Sequence, residues 1–97
     1  MEEAKELAKL LRALANENRL LILCSLMDGP MTAGKLAQFV PGITQSALSQ
    51  HLKLLKAHGI LNCTKSGKNI TYFIADPRTG EIIETLKKYY CDGGEID

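Results

Sequence analysis

Cysteine is scarce in this chain, and the few cysteines are not arranged as they are in structural sites. There are three in 97 residues, at wide spacing, and no Cys-x-x-Cys pair occurs. A disulfide framework is therefore not expected. A structural zinc site is not expected either, because such sites use closely spaced cysteines and histidines. This cysteine usage is typical of a reducing cytoplasm.

Long apolar runs and the usual signatures of enzymes are also missing. No transmembrane segment is predicted, and the acidic start Met1-Glu2-Glu3 differs from the basic start of a secretory signal. We find no glycine-rich phosphate loop, no paired carboxylates and no nucleophile beside an orienting base, so neither an enzyme nor a cofactor is expected. Without repeats or linkers, residues 1–97 should form one cytoplasmic domain that does not associate with membranes.

Acidic residues are absent from the middle of the chain. Every Asp and Glu lies at or before Asp28 or at or after Asp76. The interval between them contains five lysines, namely Lys35, Lys53, Lys56, Lys65 and Lys68. The net charge of +1 therefore averages a basic middle over acidic ends. A local basic region of this kind indicates nucleic acid as a partner.

Hydrophobic periodicity predicts three helices before residue 40. They span 2–14, about 18–27, and 33–39. Asn16 is the expected N-cap of the second helix, and Asp28-Gly29-Pro30 should end it. Thr32 opens the third helix, and Pro41-Gly42 closes it. The core candidates in this region are Leu36, Phe39 and Val40.

A fourth helix should begin after an N-cap at Thr44 and end near His58, before Gly59. Its apolar side is formed by Leu48, Leu52 and Leu55. Its polar side carries Ser46, Ser49, Gln50 and Lys53 and contains no carboxylate. Those groups can bond base edges and phosphates in a DNA major groove. The segment is either a DNA recognition helix or an ordinary amphipathic surface helix, and the charge distribution favours the first.

The pattern then changes to two β-prone runs, 60–65 and 70–75, which predict a β-hairpin. Lys65 and Lys68 lie near its tip, where they can reach DNA phosphates. A helix-turn-helix at about 32–58 followed by a hairpin at about 60–75 is a winged helix. The fold class is therefore mainly α with a β-hairpin wing, in the order α-α-α-α-β-β-α.

The first and last helices, about 2–14 and 77–91, carry more apolar surface than one stripe requires. The last helix contributes Ile82, Ile83, Leu86, Tyr89 and Tyr90. We expect the two terminal helices to form much of a homodimer interface, since a chain this short exposes much apolar surface by itself. The alternative is that both helices pack only on the core of their own subunit.

Three motifs together make the chain resemble the ArsR/SmtB family of dimeric winged-helix repressors over nearly all its length. The segment from Leu14 to Leu23 is similar to the family's "LaxpxRlxIL" motif at the second helix. The segment from Ser46 to Leu55 is similar to its "SxxSxHLxxL" recognition helix. Ala57-His58-Gly59-Ile60-Leu61 is similar to its "AGLV" step into the wing.

The resemblance implies a repressor that binds an imperfect inverted repeat in double-stranded DNA. The residues that would face bases or nearby phosphates are Gln45, Ser46, Ser49 and Gln50. The residues that would contact the DNA backbone are Lys53, Lys65 and Lys68. His51 is interpreted as a structural or phosphate-contacting residue rather than a metal ligand, because no second histidine or carboxylate lies four residues away.

Many members of this family sense metals through cysteines at the third helix or through histidines and carboxylates on the last. Residues 32–40 contain no cysteine, and the segment from Pro77 to Tyr90 contains no histidine. No metal site is therefore predicted. Within the family, Cys24 and Cys91 resemble the dithiol of the BigR/SqrR-type branch, whose inducers are persulfides and other reactive sulfur species. Cys63 is interpreted as structural.

Several alternatives stay open. The inducer could be a general oxidant, a thiophilic metal or haem, and Cys24 by itself could be a small buried hydrophobic residue. In a different functional class, the winged helix could serve for protein contacts rather than for DNA. The basic, acid-free middle of the chain argues against that class.

Overall fold

The computed structural model describes residues 2–92, except for the side chains of Cys91 and Asp92. The helices are α1 (Glu2–Leu14), α2 (Glu17–Leu26), α3 (Ala33–Ala37), α4 (Gln45–Ala57) and α5 (Pro77–Lys87), and a π-helical segment (Lys88–Asp92) continues α5. The strands are β1 (Met31–Thr32), β2 (Leu61–Ser66) and β3 (Asn69–Ile74). The predicted class, mainly helical with a hairpin wing, is confirmed.

Side-chain caps set where three of the central helices begin. The amide of Arg19 donates to Asn16 Oδ1 at 3.0 Å, that of Lys35 to Thr32 Oγ1 at 3.2 Å, and that of Ala47 to Thr44 Oγ1 at 3.0 Å. Each cap satisfies a backbone amide that the first helical turn leaves without a partner. The three caps predicted from the sequence are therefore confirmed.

One apolar core holds the helices and the sheet together. Its buried members come from the five α-helices, from the loop after α3 and from the start of β2. They are Ala13, Leu14, Ile22, Leu23, Leu26, Leu36, Val40, Leu48, Leu52, Leu55, Ile60, Leu61 and Ile83. Because α1 contributes only its last two residues to this set, its preceding turns stay outside the core, with Leu7 51% and Leu11 49% exposed.

The sheet has three antiparallel strands in the order β1-β3-β2. The hairpin pairs Leu61 with Ile74 at its base and Ser66 with Asn69 at its tip. The short strand β1 pairs with the other edge of β3, where Met31 lies opposite Tyr72. The sequence analysis did not predict β1, because two residues are too few to show an alternating pattern. The observed order is therefore α-α-β-α-α-β-β-α.

The prediction that Phe39 belongs to the core was wrong. Its side chain is 46% exposed, whereas the neighbouring Val40 is 1% exposed. The helix α3 ends at Ala37 rather than at Phe39, because the amides of Phe39 and Val40 donate to carbonyls three residues before them and form a tighter turn. Val40 takes the buried place, and the ammonium of Lys35 lies 6.0 Å from the centre of the Phe39 ring.

The last helix also differs from its prediction. Asp76 caps α5 by accepting from the amide of Arg78 at 2.9 Å, and the α-helical part ends at Lys87. The chain then continues as the π-helical segment rather than as α-helix to residue 91. No helix in the described part of the chain is both long enough and apolar enough to cross a membrane.

Thr79 on α5 gives a test of the core. Among the described side chains, its hydroxyl is the one buried polar atom without a hydrogen-bond partner. We predict that Thr79→Val raises the free energy of unfolding by about 1 kcal/mol, because an unsatisfied buried hydroxyl costs roughly that much or more. The measurement is chemical denaturation of wild type and variant at one protein concentration.

The matched control is Thr85→Val on the same helix. The Thr85 hydroxyl is exposed and donates to the carbonyl of Glu81 at 2.9 Å, so its loss should change stability by less than about 0.5 kcal/mol. A Thr79→Val protein less stable than wild type would show that the hydroxyl has a partner in solution.

Candidate nucleic-acid interface

The helix α4 is held with one face in the core and the other in solvent. The side chains of Leu48, Leu52 and Leu55 are each at most 3% exposed. Since these three residues are spaced four and three apart, they form one continuous stripe. Burial of this stripe fixes the rotation of α4 about its axis, and the residues on the opposite face must point outward.

Four of the five DNA-contact candidates of α4 lie on that outward face, whereas Gln45 stands at the first position of the helix, three residues before Leu48. Gln45, Ser46, Ser49, Gln50 and Lys53 are exposed. The first turn of α4 has no acidic residue, and its N-terminal end therefore keeps the favourable interaction of the helix dipole with anions. This surface offers amide, hydroxyl and ammonium groups, which can hydrogen-bond bases and phosphates.

The wing carries the two remaining candidates on a separate element. Lys65 lies near the end of β2, and Lys68 lies in the turn between the strands; both are exposed. Gly67 has φ of 63° at the first turn position, while no described residue other than glycine has positive φ. That combination is typical of a type II′ hairpin turn, which leaves a lysine free at the second position.

The base of the wing contacts the end of α4. The ammonium of Lys56, in the last turn of α4, donates to the sulfur of Cys63 on β2 at 3.2 Å. Cys63 is half-buried and pairs across the hairpin with Tyr72. The contact joins the two basic elements, and Cys63 stands at their junction, in keeping with its structural interpretation.

His51 lies between the outward face of α4 and the core, and it contacts a charged residue of α2. Its Nδ1 atom is 3.5 Å from Nη1 of Arg19. Burial, and then the neighbouring Arg19 charge, lower the pKa of His51 below its usual value of 6.5. In a hydrogen bond between the two groups Nδ1 is the acceptor, because a guanidinium donates and cannot accept, and the neutral ring then carries its proton on Nε2.

Arg19 is the functional candidate that the sequence analysis missed. Besides approaching His51, its Nε donates to the carbonyl of Ala13 and its Nη2 lies 3.4 Å from the carbonyl of Arg12. One side chain of α2 thus contacts both the end of α1 and the middle of α4. The available signal was its place in the motif at the second helix, but the contact with His51, 32 positions away, is visible only in the fold.

The two candidate switch cysteines lie on α2 and on the segment that follows α5. Cys24 lies on α2, is half-buried and packs against the core. The helix α2 packs against α5. Cys91 belongs to the π-helical segment that continues α5, but its side chain lies outside the described part of the structure. Among the described side chains, no three His, Cys, Asp or Glu residues form a group that could hold a metal ion.

Comparison with known proteins gives consistent matches over most of the chain. Residues 16–62 match the profile described as "Bacterial regulatory protein, arsR family". The transcriptional activator HlyU of Vibrio cholerae is 38% identical over 89% of this chain and 79% of its own length. Such relatives are named as transcriptional regulators, in agreement with the prediction that the chain is not an enzyme.

Two solved structures extend this similarity to the fold. Reduced HlyU from Vibrio cholerae superimposes with a TM-score of 0.87 at 37% identity, covering 93% of this chain and 94% of that one. The transcriptional repressor BigR from Xylella fastidiosa superimposes with a TM-score of 0.85 at 32% identity, covering 93% and 91%. Similarity at this level spans the terminal helices as well as the winged helix.

Proposed function

The chain belongs to the ArsR family of bacterial transcriptional regulators, and we propose that it acts in the cytoplasm as a homodimeric repressor that reads an imperfect inverted repeat. The observation that carries this proposal is the outward face of α4, which is polar, free of carboxylates and fixed in orientation by a buried leucine stripe. Repression rather than activation is the direction named for BigR, whereas HlyU is named an activator.

In this proposal the outward face of α4 enters the major groove. Gln45 and Gln50 read base edges, since a glutamine amide can bond adenine through two hydrogen bonds. Ser46 and Ser49 bond bases or nearby phosphates. Lys53 on α4 and the wing residues Lys65 and Lys68 bind phosphates, which sets affinity and register rather than sequence preference.

The two kinds of contact should separate by mutation. We predict that Lys53→Ala weakens binding to all duplexes about equally and reduces the slope of log affinity against log salt by about 0.9 per subunit, since one phosphate contact is lost. Gln50→Ala should instead cost about 1–3 kcal/mol of discrimination at one base pair of each half-site. Fluorescence anisotropy is measured on a duplex that the wild type selects from a random pool, and on its scrambled version.

The matched control is Lys5→Ala, which removes an exposed lysine of α1 outside the acid-free segment. It should leave both the salt slope and the sequence preference unchanged. If the wild type selected no duplex and bound DNA without salt dependence, the winged helix would be assigned to protein contacts instead.

Exposed apolar side chains support the homodimer. They lie on the two turns of α1 that project from the core and on the end of α5 with the segment after it. They are Leu7, Leu11, Leu86, Tyr89 and Tyr90. A second copy is the partner that such surfaces would take in a protein that reads an inverted repeat, since the two-fold symmetry of the site requires a two-fold symmetric reader.

Disrupting this surface should produce monomers. We predict that Leu11→Glu, which places a charge in the proposed interface, shifts the protein from dimer to monomer in sedimentation velocity and lowers operator affinity by at least about tenfold. Ile70→Glu is the matched control for the oligomeric state alone, because Ile70 is also an exposed apolar residue but lies on the wing, and it should leave the dimer intact. A Leu11→Glu protein that stayed dimeric would exclude this part of α1 from the interface.

Cys24 and Cys91 are proposed as the switch that releases DNA, with a persulfide as inducer. One thiolate takes a sulfane sulfur from an organic persulfide, which leaves as a thiol, and a second transfer lengthens the chain to Cys–S–S–SH. The other thiolate attacks the middle sulfur and displaces hydrosulfide, which leaves a trisulfide. The two cysteines are together oxidised by two electrons, which reduce one of the two transferred sulfane sulfurs to hydrosulfide, while the other stays in the bridge.

Two observations support this switch. Cys24 lies on α2, which packs against the helix that leads to Cys91, and a bridge between them would change how these two helices pack. The similar HlyU structure is of the reduced protein, which makes a thiol-dependent state a reasonable expectation for this chain. A direct disulfide requires Cα atoms within about 7 Å, whereas a longer sulfur chain tolerates a wider gap.

Mass spectrometry identifies the bridge. We predict that anaerobically reduced protein treated with an organic persulfide gains a Cys24–Cys91 crosslink with at least one extra sulfur, and that its operator affinity falls. Cys24→Ser and Cys91→Ser should abolish both effects, while Cys63→Ser should retain them. A plain disulfide formed by any oxidant would indicate a general redox switch. Thiols that stay unmodified would direct attention to a metal or haem as inducer.

A further inference from the structure

We propose that Arg19 is a positioning residue for DNA recognition. Its guanidinium joins the end of α1 to α4, where Nδ1 of a neutral His51 accepts its hydrogen bond. This inference rests on the proposed function, since it assumes that α4 reads DNA. It goes further in assigning a role to a pair of residues, on α2 and α4, that do not belong to the outward face.

The guanidinium of Arg19 is bound at the end of α1. Its Nε donates to the carbonyl of Ala13, and its Nη2 faces the carbonyl of Arg12 at 3.4 Å. These carbonyls belong to the last turn of α1, where the regular helical hydrogen bonds end; that of Arg12 also accepts from the amide of Ala15 at 3.3 Å. The bonds to α1 therefore fix the orientation of the guanidinium. Because this group is planar, its remaining N–H groups point in a defined direction, toward α4.

On α4, the residue that Arg19 contacts is His51. Nη1 of Arg19 lies 3.5 Å from Nδ1 of His51, and this distance is compatible with a weak, direct hydrogen bond. His51 shares its helix with the candidate base-reading residues, directly after Gln50. A change in the position of Arg19 would therefore change where the middle of α4 lies. Because the same Arg19 contacts α1, the proposed dimer helix and the recognition helix are linked through one side chain.

Protonation of His51 would break this link. The protonated ring has no acceptor at Nδ1, and it would place a second positive charge against Arg19. The charged residue that acts on His51 is Arg19. The carbonyls at the end of α1 are already bound by Arg19, the acidic Glu17 of α2 is exposed, and the charged residues of α4 other than His51 are lysines. Burial of the ring, and then the charge of Arg19, lower the pKa of His51 in the folded protein.

The sign of the pH dependence follows from that direction. Since the folded state resists protonation below the usual value of 6.5, the neutral form contributes stability that is present near neutral pH and declines as the pH falls below about 6.5. If DNA binding needs the neutral contact, affinity falls as the pH drops through the lowered pKa of His51 in the folded protein, which lies below 6.5. A phosphate-contacting His51 would show the opposite sign, because protonation would then strengthen binding.

The test combines a mutant cycle with a pH profile, on the selected duplex. We expect Arg19→Gln to weaken binding at pH 7.5 by about tenfold in the wild-type background. In a His51→Leu background it should weaken binding by no more than about threefold, and the difference between the two factors measures the coupling of the pair. Arg19→Lys, which keeps the charge but not the fork, serves if Arg19→Gln fails to fold and should also weaken binding. Arg12→Gln, an exposed arginine whose side chain is not part of the contact, is the matched control.

Between pH 7.5 and pH 5.5 the affinity of the wild type should fall relative to that of His51→Asn, which keeps an acceptor near the Nδ1 position but does not titrate. Both proteins retain His58, so the contribution of that residue is the same in both. An affinity that rose on acidification only in the wild type, or a cycle without coupling, would overturn the proposal.

A DNA-free readout separates failure of this inference from failure of the proposed function. Nitrogen-15 NMR of the imidazole should show an unprotonated Nδ1 and a lowered pKa for His51 in the wild type, with a higher pKa in Arg19→Gln. A Nδ1-protonated ring would overturn the inference whether or not the protein binds DNA. If the NMR result is as expected but no duplex is bound, the assignment of α4 to DNA has failed, and the role of Arg19 in recognition is overturned with it.

Discussion

The burial of Leu48, Leu52 and Leu55 is the constraint on which the rest of the molecule depends. These three side chains lie in the same core as Leu36 and Leu23, which fixes α4 in position and in rotation. A helix free to rotate could not present a defined set of groups to a DNA groove. The apolar stripe therefore does more than stabilise the fold, because it decides which polar residues face outward.

The second consequence of this packing is the proximity of three helices at Arg19. Residues of α1, α2 and α4 share the hydrophobic core, and the guanidinium of Arg19 on α2 reaches both the end of α1 and His51 on α4. The residues with proposed regulatory roles on α2 are Arg19 and Cys24, five positions apart on one short helix. If thiol chemistry displaced α2, Arg19 would move with Cys24, because both lie on this one helix. The displacement would therefore reach α4 through the contact of Arg19 with His51 rather than through a flexible linker.

The apolar surfaces that remain exposed complete this picture. The helix α1 anchors only its last turn in the core, and the chain beyond α5 presents two tyrosines to solvent, Tyr90 being 80% exposed. Such surfaces are costly for a small monomer. Dimerisation through the ends of the chain would cover them and leave α4 and the wing accessible, so the two proposed activities use different sides of the subunit.

The sequence by itself determined the helix caps at Asn16, Thr32 and Thr44, the apolar stripe of α4 and the hairpin around Gly67, because caps, periodicity and turn chemistry act between residues close in the chain. The similarity to the ArsR family was also visible there. Only the tertiary structure decided that Val40 rather than Phe39 is buried, that Met31 and Thr32 add a strand to the sheet, and that Arg19 meets His51. Each of these depends on which distant segment becomes a neighbour, and packing settles that question only when the whole core forms.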